Sequence, residues 1–471
     1  MTRRRLLQGI GAAGVASALK PFDALAAAPA ANAPATTTTA ASTAAPAAAP
    51  RWRNWSGLEA CQPARWAVPA DEAEALALLR DAPAPLRCLG AGHSFTRLVP
   101  TEGSLLSLDR LAGLRAHDAT AGTATLGAGT RLAAASRALD AVGLAFRNLP
   151  DIDVQTLAGA LATATHGTGA ALPALHAEAL QITLLTPGGE RIVCSRQQRP
   201  EVFAAAQVSL GALGVLSEVT LRVQPRHVLH RRVWLMPTEE LLQAVPTLVA
   251  QHRQFECYLL PHTGYGAAVT HDEANEAPRP RAPAPDEDVL RDLRKLRDWL
   301  GRWPALRRWV AQRFIDPTMH EEATDWSWRL LSTQRPTRFN ETECHVPRDQ
   351  GVACLREVLA ALERRDDTYF PIEFRFIAAD DAWLSPFHGR DSCSIAVHAA
   401  HDEPWDYLLK DIGPIYRRHA GRPHWGKLHD RSAAELRALY PHWDDFQRVR
   451  RSLDPAGRML NPYLRRLFGE S

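Results

Sequence analysis

The sequence predicts a two-domain α+β protein, and three observations carry that expectation. At 471 residues the chain is longer than one hydrophobic core usually organises. Its first half, after a leader, opens as strand, helix, strand and then repeats glycine-rich turns. Past Pro225 those turns give way to alternating strands and helices around a polar insertion. A composition of 46% hydrophobic and 23% charged residues is ordinary for a globular protein and excludes disorder, collagen or a membrane bundle. No internal stretch is long and apolar enough to make a stable membrane span.

The chain begins with Thr2-Arg3-Arg4-Arg5-Leu6-Leu7-Gln8, an apolar run from Gly9 to Leu19 and a small-x-small cleavage site at Ala24-Leu25-Ala26. Because the run has no polar face, residues 1–26 read as a twin-arginine signal peptide. That signal hands a folded protein to the twin-arginine export machinery, so the mature chain is expected in the periplasm or beyond. The formal charge of +3 is matched within this leader by Arg3, Arg4, Arg5 and Lys20 against Asp23, which leaves the mature chain near neutral. The pairs Arg231-Arg232, Arg307-Arg308 and Arg417-Arg418 are scattered among acids rather than gathered in a stripe, so no nucleic-acid partner is expected. Residues 27–50 are Ala, Pro, Thr and Ser with one Asn; they have no apolar period to bury and read as a tether, with folding expected from near Trp52.

Residues 55–225 form the expected first domain. Arg65 to Val68 reads as a strand, Asp71 as the cap of a helix to Arg80 with Ala75, Leu78 and Leu79 inward, and Leu86 to Leu89 as a second strand. The turn Gly90-Ala91-Gly92-His93-Ser94 follows at once and can offer successive backbone N–H groups to a phosphate, although Phe95 stands where a dinucleotide-binding turn has its third glycine. Leu126-Gly127-Ala128-Gly129-Thr130 ends a hairpin and opens a helix through Val142. Ala158 to Gly169 is a run of small residues and Thr. A further hairpin turns at Pro187-Gly188-Gly189, and Leu210 to Leu216 leads into a strand over Ser217 to Val223. Segments so poor in side chains let a large planar ligand lie against the backbone.

Residues 226–471 form the second domain. The acidic, Pro-rich stretch Asp272 to Asp288 is too polar to pack and is expected to loop outward, while Trp299, Trp303 and Trp309 of the basic helical stretch Val289 to Phe314 read as core or as membrane-surface contacts, with core the expectation. In Pro371-Ile372-Glu373-Phe374-Arg375-Phe376-Ile377 the strand period of two sets Glu373 and Arg375 on one face and Phe374 and Phe376 on the other. Arg422-Pro423-His424-Trp425-Gly426-Lys427 is a rigid turn that fixes a lysine cation. The seven cysteines stand ten or more residues apart, which signals neither a zinc knuckle nor a dense disulfide framework. No two of the 18 histidines are spaced i, i+4, and the closest pairs, His227 with His230 and His398 with His401, stand three apart, so no metal site is expected.

The order Gly-Ala-Gly-His-Ser-Phe (90–95), Gly-Ala-Gly-Thr (127–130), Ala-Thr-Ala-Thr-His-Gly-Thr-Gly (162–169) and Leu-Gly-Ala-Leu-Gly-Val-Leu-Ser-Glu-Val-Thr (210–220) resembles the vanillyl-alcohol-oxidase-type, or PCMH-type, FAD domain. The second half, with Glu373-x-Arg375, Trp383-Leu384-Ser385-Pro386, Pro423 to Lys427 and Leu453 to Leu464, resembles the sugar-1,4-lactone oxidases, whose members act on gulono-, galactono- and arabinonolactone. The resemblance implies a PCMH-type FAD-binding domain followed by an aldonolactone-oxidase-type cap. It implies FAD held by Gly90, Ala91, Gly92, His93, Ser94 and Phe95, by Gly129 and Thr130, by Thr156, Gly159, Thr163, Thr165, His166 and Gly167, and by Gly211, Gly214 and Val215. His93 would carry the flavin covalently through its 8α-methyl group, with His166 packing near it. Glu373 and Arg375 would face the substrate and Lys427 the flavin N1 region. Hydride would pass from the carbinol carbon of an aldono-1,4-lactone to flavin N5, with the electrons going on to O₂, giving H₂O₂, or to a periplasmic electron acceptor. The related alditol oxidases, which act on polyols, share the Glu-x-Arg and His-Trp-Gly-Lys elements but place a serine shortly before the Leu-Pro where this chain has Asn148.

Overall fold

Asp71 accepts a hydrogen bond from the Glu74 amide at 2.8 Å and so caps helix α1 (Glu72–Asp81), whose Ala75, Leu78 and Leu79 are buried as the spacing predicts. α1 joins strand β1 (Arg65–Ala67) to β2 (Leu86–Leu89), and β3 (Ser104–Ser107) lies between them in a parallel sheet of order β1-β3-β2. Both faces of that sheet are covered, which is why Leu105 and Leu106 are adjacent and both buried. In the computed structural model residues 50–279, 287–333 and 336–470 are described. The signal peptide expected over 1–26 and nearly all of the tether over 27–50 lie outside those residues.

A second, antiparallel sheet completes the first domain. The hairpin β4 (Leu114–Asp118) and β5 (Thr123–Gly127) leads into α2 (Leu132–Ala141), then the short α3 (Leu157–Ala162), the hairpin β6 (Ala179–Leu185) and β7 (Arg191–Ser195), and β8 (Val215–Arg222), in the order β7-β6-β8-β5-β4. Gly214, with φ +139°, admits β8 to its place: a Cβ there would stand 2.2 Å from the Leu185 carbonyl oxygen.

The second domain is built on an eight-stranded sheet. Its elements in chain order are β9 (Val228–Pro237), α4 (Thr238–Gln251), β10 (Gln254–Leu260), β11 (Tyr265–Ala274), α5 (Glu287–Leu300), α6 (Pro304–Phe314), β12 (His320–Trp326), β13 (Phe339–Pro347), α7 (Gly351–Glu363), β14 (Ile372–Ile377), β15 (Ser392–Ala400) and β16 (Arg422–Pro423). The strand order is β12-β9-β11-β10-β14-β15-β13-β16, and neighbouring strands run antiparallel. Alternation decides what each face carries. Phe374, Phe376, Cys344, Val346, Ile395 and Val397 pack under α4 and α7, whose Leu241, Val245, Leu355 and Val358 share that core. The opposite face of the same strands presents Glu341, Glu343, Glu373, Arg375, Ser394 and His398 toward the first domain.

Two expectations for this half need correction. The polar insertion does not begin at Asp272: β11 runs on to Ala274 because its ladder with β9 continues to Val228, and Asp272 accepts from His252 Nδ1 at 2.6 Å. Its stretch 280–286 lies outside the described residues. The tryptophans of the basic helices are not core. Trp299, Trp303 and Trp309 are 54%, 59% and 62% exposed, because the side of α6 turned to the protein carries Arg307 and Ala311 instead. All seven cysteines are free.

The end of the chain returns to the first domain. Trp443, Phe446, Leu460, Leu464 and Phe468 enter the same core cluster as Phe203, Leu210 and Leu213. Buried Arg87 closes this joint, donating to the carbonyls of Leu98 at 2.6 Å, Leu210 at 2.6 Å, Gly211 at 2.9 Å and Met459 at 2.7 Å. One guanidinium thereby satisfies orphan carbonyls from three segments distant in sequence.

Candidate active site

Between the glycine-rich wall of the first domain and the polar face of the cap sheet runs a cleft. On the first-domain side it is lined by Gly90 to Phe95, Thr156, Gly159, Thr163, Thr165, His166, Gly211 and Gly214. The amides of Ala91, Gly92, His93 and Ser94 have no hydrogen-bond partner among the described residues. A row of unpaired N–H groups on an open turn is a seat for an anion such as a pyrophosphate. The turn needs its glycines: a Cβ on Gly90 would stand 2.6 Å from Thr156 Oγ1, and Gly92 has φ +71°. Thr156 in turn accepts from the Gly159 amide and caps α3.

The His93 ring stacks on Trp55, with centroids 5.0 Å apart and planes at 22°. Burial first, then the cations of Lys427 and Arg131, push its pKa down to about 4, so the imidazole is neutral near pH 7 and keeps a nucleophilic nitrogen. His166 has no such freedom. Its Nδ1 lies 2.8 Å from the Gly167 carbonyl and its Nε2 3.0 Å from Glu343 Oε1.

On the cap side Arg375 is the hub. Its guanidinium meets Asp151 Oδ2 at 2.9 Å, Glu343 Oε1 at 3.1 Å and Glu373 Oε2 at 3.2 Å. Burial would lower its pKa, but the carboxylates of Asp151, Glu373 and Glu343 outweigh that and hold it well above the usual value. Glu343 shows the converse: burial raises it, and Arg375 together with the hydrogen bond from His166 prevails and holds it well below the usual carboxylate range. Glu256, buried beside this group, is pushed up to about 8 by burial and by the charge of Asp151, and so carries its proton at neutral pH.

The Lys427 loop is fastened to both domains. β16 pairs with β13 at Cys344 and Pro423, the Phe95 amide donates to the Gly426 carbonyl at 2.7 Å, and Thr96 Oγ1 donates to the Trp425 carbonyl at 3.0 Å. Trp425 is itself buried and donates to the Leu384 carbonyl at 2.7 Å. Lys427 Nζ is paired with Glu341, lies 3.7 Å from Glu343 Oε2 and stands 5.3 Å over the Phe95 ring. His424 accepts from the Gly426 amide at Nδ1, 3.0 Å, so its proton sits on Nε2; burial is the largest of the effects that hold its pKa down to about 3.

The three proposed reacting residues, Glu373, Arg375 and Lys427, therefore converge on the cleft, as do most of the proposed flavin contacts. Gly129, Thr130, Gly167 and Val215 do not line it. A Cβ on Gly129 would fall 1.8 Å from the Leu108 carbonyl, and one on Gly167 would fall 2.2 Å from that of Leu149, so chain packing requires both glycines. Thr130 Oγ1 accepts from the Gly113 amide at 2.8 Å and donates to the Gly127 carbonyl, while Val215 opens β8 inside the core. Sequence reasoning missed Trp55, Asp151, Glu341 and Glu343. The alternation Glu341-Thr342-Glu343-Cys344-His345 was the available signal for the last two, since acids two apart in a strand share a face. It also missed that His166, Glu343 and His345 bring ligand atoms within 4.8 Å of one another. There the Arg375 guanidinium already supplies the cation that Glu343 requires.

Comparisons with known proteins accord with this geometry. Residues 219–467 match the family model described as D-arabinono-1,4-lactone oxidase, and residues 63–195 match that of an FAD binding domain. The chain is 34% identical over 429 residues to the L-gulono-1,4-lactone dehydrogenase of Mycobacterium tuberculosis, covering 89% of this chain and 99% of that protein. It is 29% identical over 432 residues to the L-gulonolactone oxidase of Bos taurus, covering 89% and 98%. Among solved structures, a solvent-stable cholesterol oxidase superposes with a TM-score of 0.72 at 18% identity, over 89% of this chain and 97% of that one. At that identity the likeness speaks for the fold alone.

Proposed function

The chain belongs to the D-arabinono-1,4-lactone oxidase family, and on that premise we propose that it is an FAD-dependent oxidoreductase that removes hydride from the carbinol carbon of an aldono-1,4-lactone. The observation that carries this reading is the meeting of Glu373, Arg375 and Lys427 opposite the unpaired amides of residues 91–94 in one cleft. FAD, when bound, supplies the two-electron acceptor. The amides of Ala91 to Ser94 would hold its pyrophosphate, the small residues Gly159, Gly211 and Gly214 would let it lie against backbone, and Lys427 would place a positive charge beside it. Neutral His93 is the proposed point of covalent attachment.

What the chain's own residues do follows from their charges. Glu373 is a hydrogen-bond acceptor for a sugar hydroxyl, and Arg375 is a fixed donor for an oxygen on which negative charge develops during oxidation. Asp151 and Glu343 hold the guanidinium in place, so no side chain must reorganise when that charge appears. His424 offers its Nε2 proton as a neutral donor. We assign O₂ as the electron acceptor, with H₂O₂ as product, and export by the twin-arginine route on the strength of the N-terminal arginines.

The test is turnover by the purified yellow protein of L-gulono-, L-galactono- and D-arabinono-1,4-lactone against xylitol and sorbitol, in air and anaerobically with an artificial acceptor. Lactone oxidation with stoichiometric H₂O₂ is expected. Turnover of polyols alone would replace the substrate, and anaerobic turnover without oxygen consumption in air would make the enzyme a dehydrogenase.

A further inference from the structure

Among the described residues six large hydrophobic side chains are exposed, and four of them fall in one helical hairpin: Trp299 at 54%, Trp303 at 59%, Leu306 at 44% and Trp309 at 62%. The hairpin is α5 and α6, joined at Gly301. On α6 Leu306, Trp309 and Arg313 stand at i, i+3 and i+7 and so share one stripe, while Arg307 and Ala311 on the other side are buried. Arg307 Nη2 donates to the Thr368 carbonyl at 2.8 Å, which fastens the hairpin to the protein with its indoles turned outward.

Cations predominate around these rings: residues 289–316 carry eight Lys and Arg against Asp292, Asp298 and Asp316. Arg302 and Arg313 are exposed and make no ion pair among the described residues. Lys295, also exposed, pairs among the described residues with Asp292 on its own helix, at 3.3 Å, and the nearby acid Asp298 is already held by Arg297 at 2.7 Å. A cluster of tryptophans rimmed by unpaired cations combines rings that prefer a half-wet, half-apolar layer with charges that seek an anionic surface.

We propose that this hairpin face docks the protein on an anionic lipid bilayer, with the indoles of Trp299, Trp303 and Trp309 at headgroup depth and Arg302 and Arg313 against lipid phosphates. The attachment is peripheral, since no helix among the described residues is long and apolar enough to cross a membrane. A second copy of the chain is the poorer occupant: a two-fold contact lays a patch on its own copy, and here that sets unpaired cations against cations.

The test is cosedimentation of the full-length, flavin-loaded protein with phosphatidylcholine vesicles with and without phosphatidylglycerol. Binding to the anionic vesicles, weakened by salt, is expected to exceed binding to the neutral ones by about tenfold or more, since each cation near such a surface is worth about fivefold. Trp299→Ser/Trp303→Ser/Trp309→Ser should lose about tenfold or more on both vesicle types, and Arg302→Glu/Arg313→Glu should lose about 25-fold or more on the anionic ones only. Both variants should keep wild-type lactone turnover in a vesicle-free assay, which shows that they fold. The proposal is overturned if the wild-type protein stays in the supernatant with anionic vesicles, or if both variants bind as it does. It is also overturned if light scattering finds a dimer that the tryptophan variant dissolves, which would give the face to a second copy.

Discussion

Nε2 of His166, in the glycine-rich segment of the first domain, lies 3.0 Å from Oε1 of Glu343 on the cap sheet, with both side chains buried. That same oxygen accepts from Arg375 and from Ser394, so one carboxylate ties the glycine-rich wall of the first domain to the cap sheet. Glu343→Ala leaves a buried guanidinium short of one anion and should cost about 3–5 kcal/mol. A urea titration of the variant should show a lower midpoint with a similar slope. Glu343→Gln, which keeps the shape and some of the hydrogen bonding, should lose less.

Acid weakens the fold through groups that are buried uncharged. His93 and His424 have folded pKa values pushed down to about 4 and about 3, below the unfolded value of about 6.5. Below pH 6.5 the unfolded chain takes up protons that the native one refuses. Their contribution is therefore complete above pH 6.5 and is lost as pH falls toward 4 and then 3. Unfolding midpoints measured from pH 7 to pH 4 should fall, and His424→Asn should flatten part of that slope. A parallel slope in the variant would remove His424 from the account.

Glu256 acts on the alkaline side. Its folded pKa, about 8, lies above the unfolded carboxyl value of about 4.3, so the native state holds a proton that the unfolded chain has released. The sign is the reverse of the histidines: the contribution is present below pH 4.3 and disappears as pH rises through 8. Glu256→Gln stays neutral throughout, so the difference in stability between wild type and variant should shift in favour of the variant from pH 5 to pH 8. A constant difference would mean that Glu256 is ionised in the native protein.

His93→Ala tests the covalent bond directly. On a denaturing gel the wild-type band should fluoresce with flavin, and the variant band should be dark while the native variant remains yellow through contacts of the cleft alone. Fluorescence retained in the variant band would move the attachment to another residue.

Lys427→Met removes the cation proposed to lie beside the flavin and takes from Glu341 its lysine partner. The expected loss in kcat is about 10²-fold or more, the scale of removing one preorganised donor from a water-poor site. Flavin absorbance per protein should stay near wild type, which separates a catalytic loss from a loading defect. Unchanged turnover would place Lys427 outside the reacting centre.

Much of this was legible without coordinates because it is local. The cap of α1 at Asp71, the shared face of Glu373 and Arg375, and the glycine turn at residues 90–92 each follow from a spacing of a few residues. Four flavin assignments failed to reach the cleft, and the reason is equally physical: Gly129 and Gly167 are glycine because a carbonyl leaves no room for a Cβ, a cause that a motif cannot distinguish from ligand contact. The outward face of Trp299, Trp303 and Trp309 was hidden for a related reason, since helical period says which residues lie together but not which side meets the rest of the protein.

By itself, then, the sequence determined the two-domain α+β order, the glycine-rich wall of the FAD-binding domain and the strand that carries Glu373 and Arg375 on one face. Only the tertiary structure decided what holds that pair. Arg375 owes its setting to Glu343, 32 residues away, and to Asp151, 224 residues away. Backbone period and glycine freedom act over one turn or one strand, whereas a buried charge is stabilised by whichever opposite charges the completed fold sets within about 3 Å, and no spacing along the chain encodes that meeting.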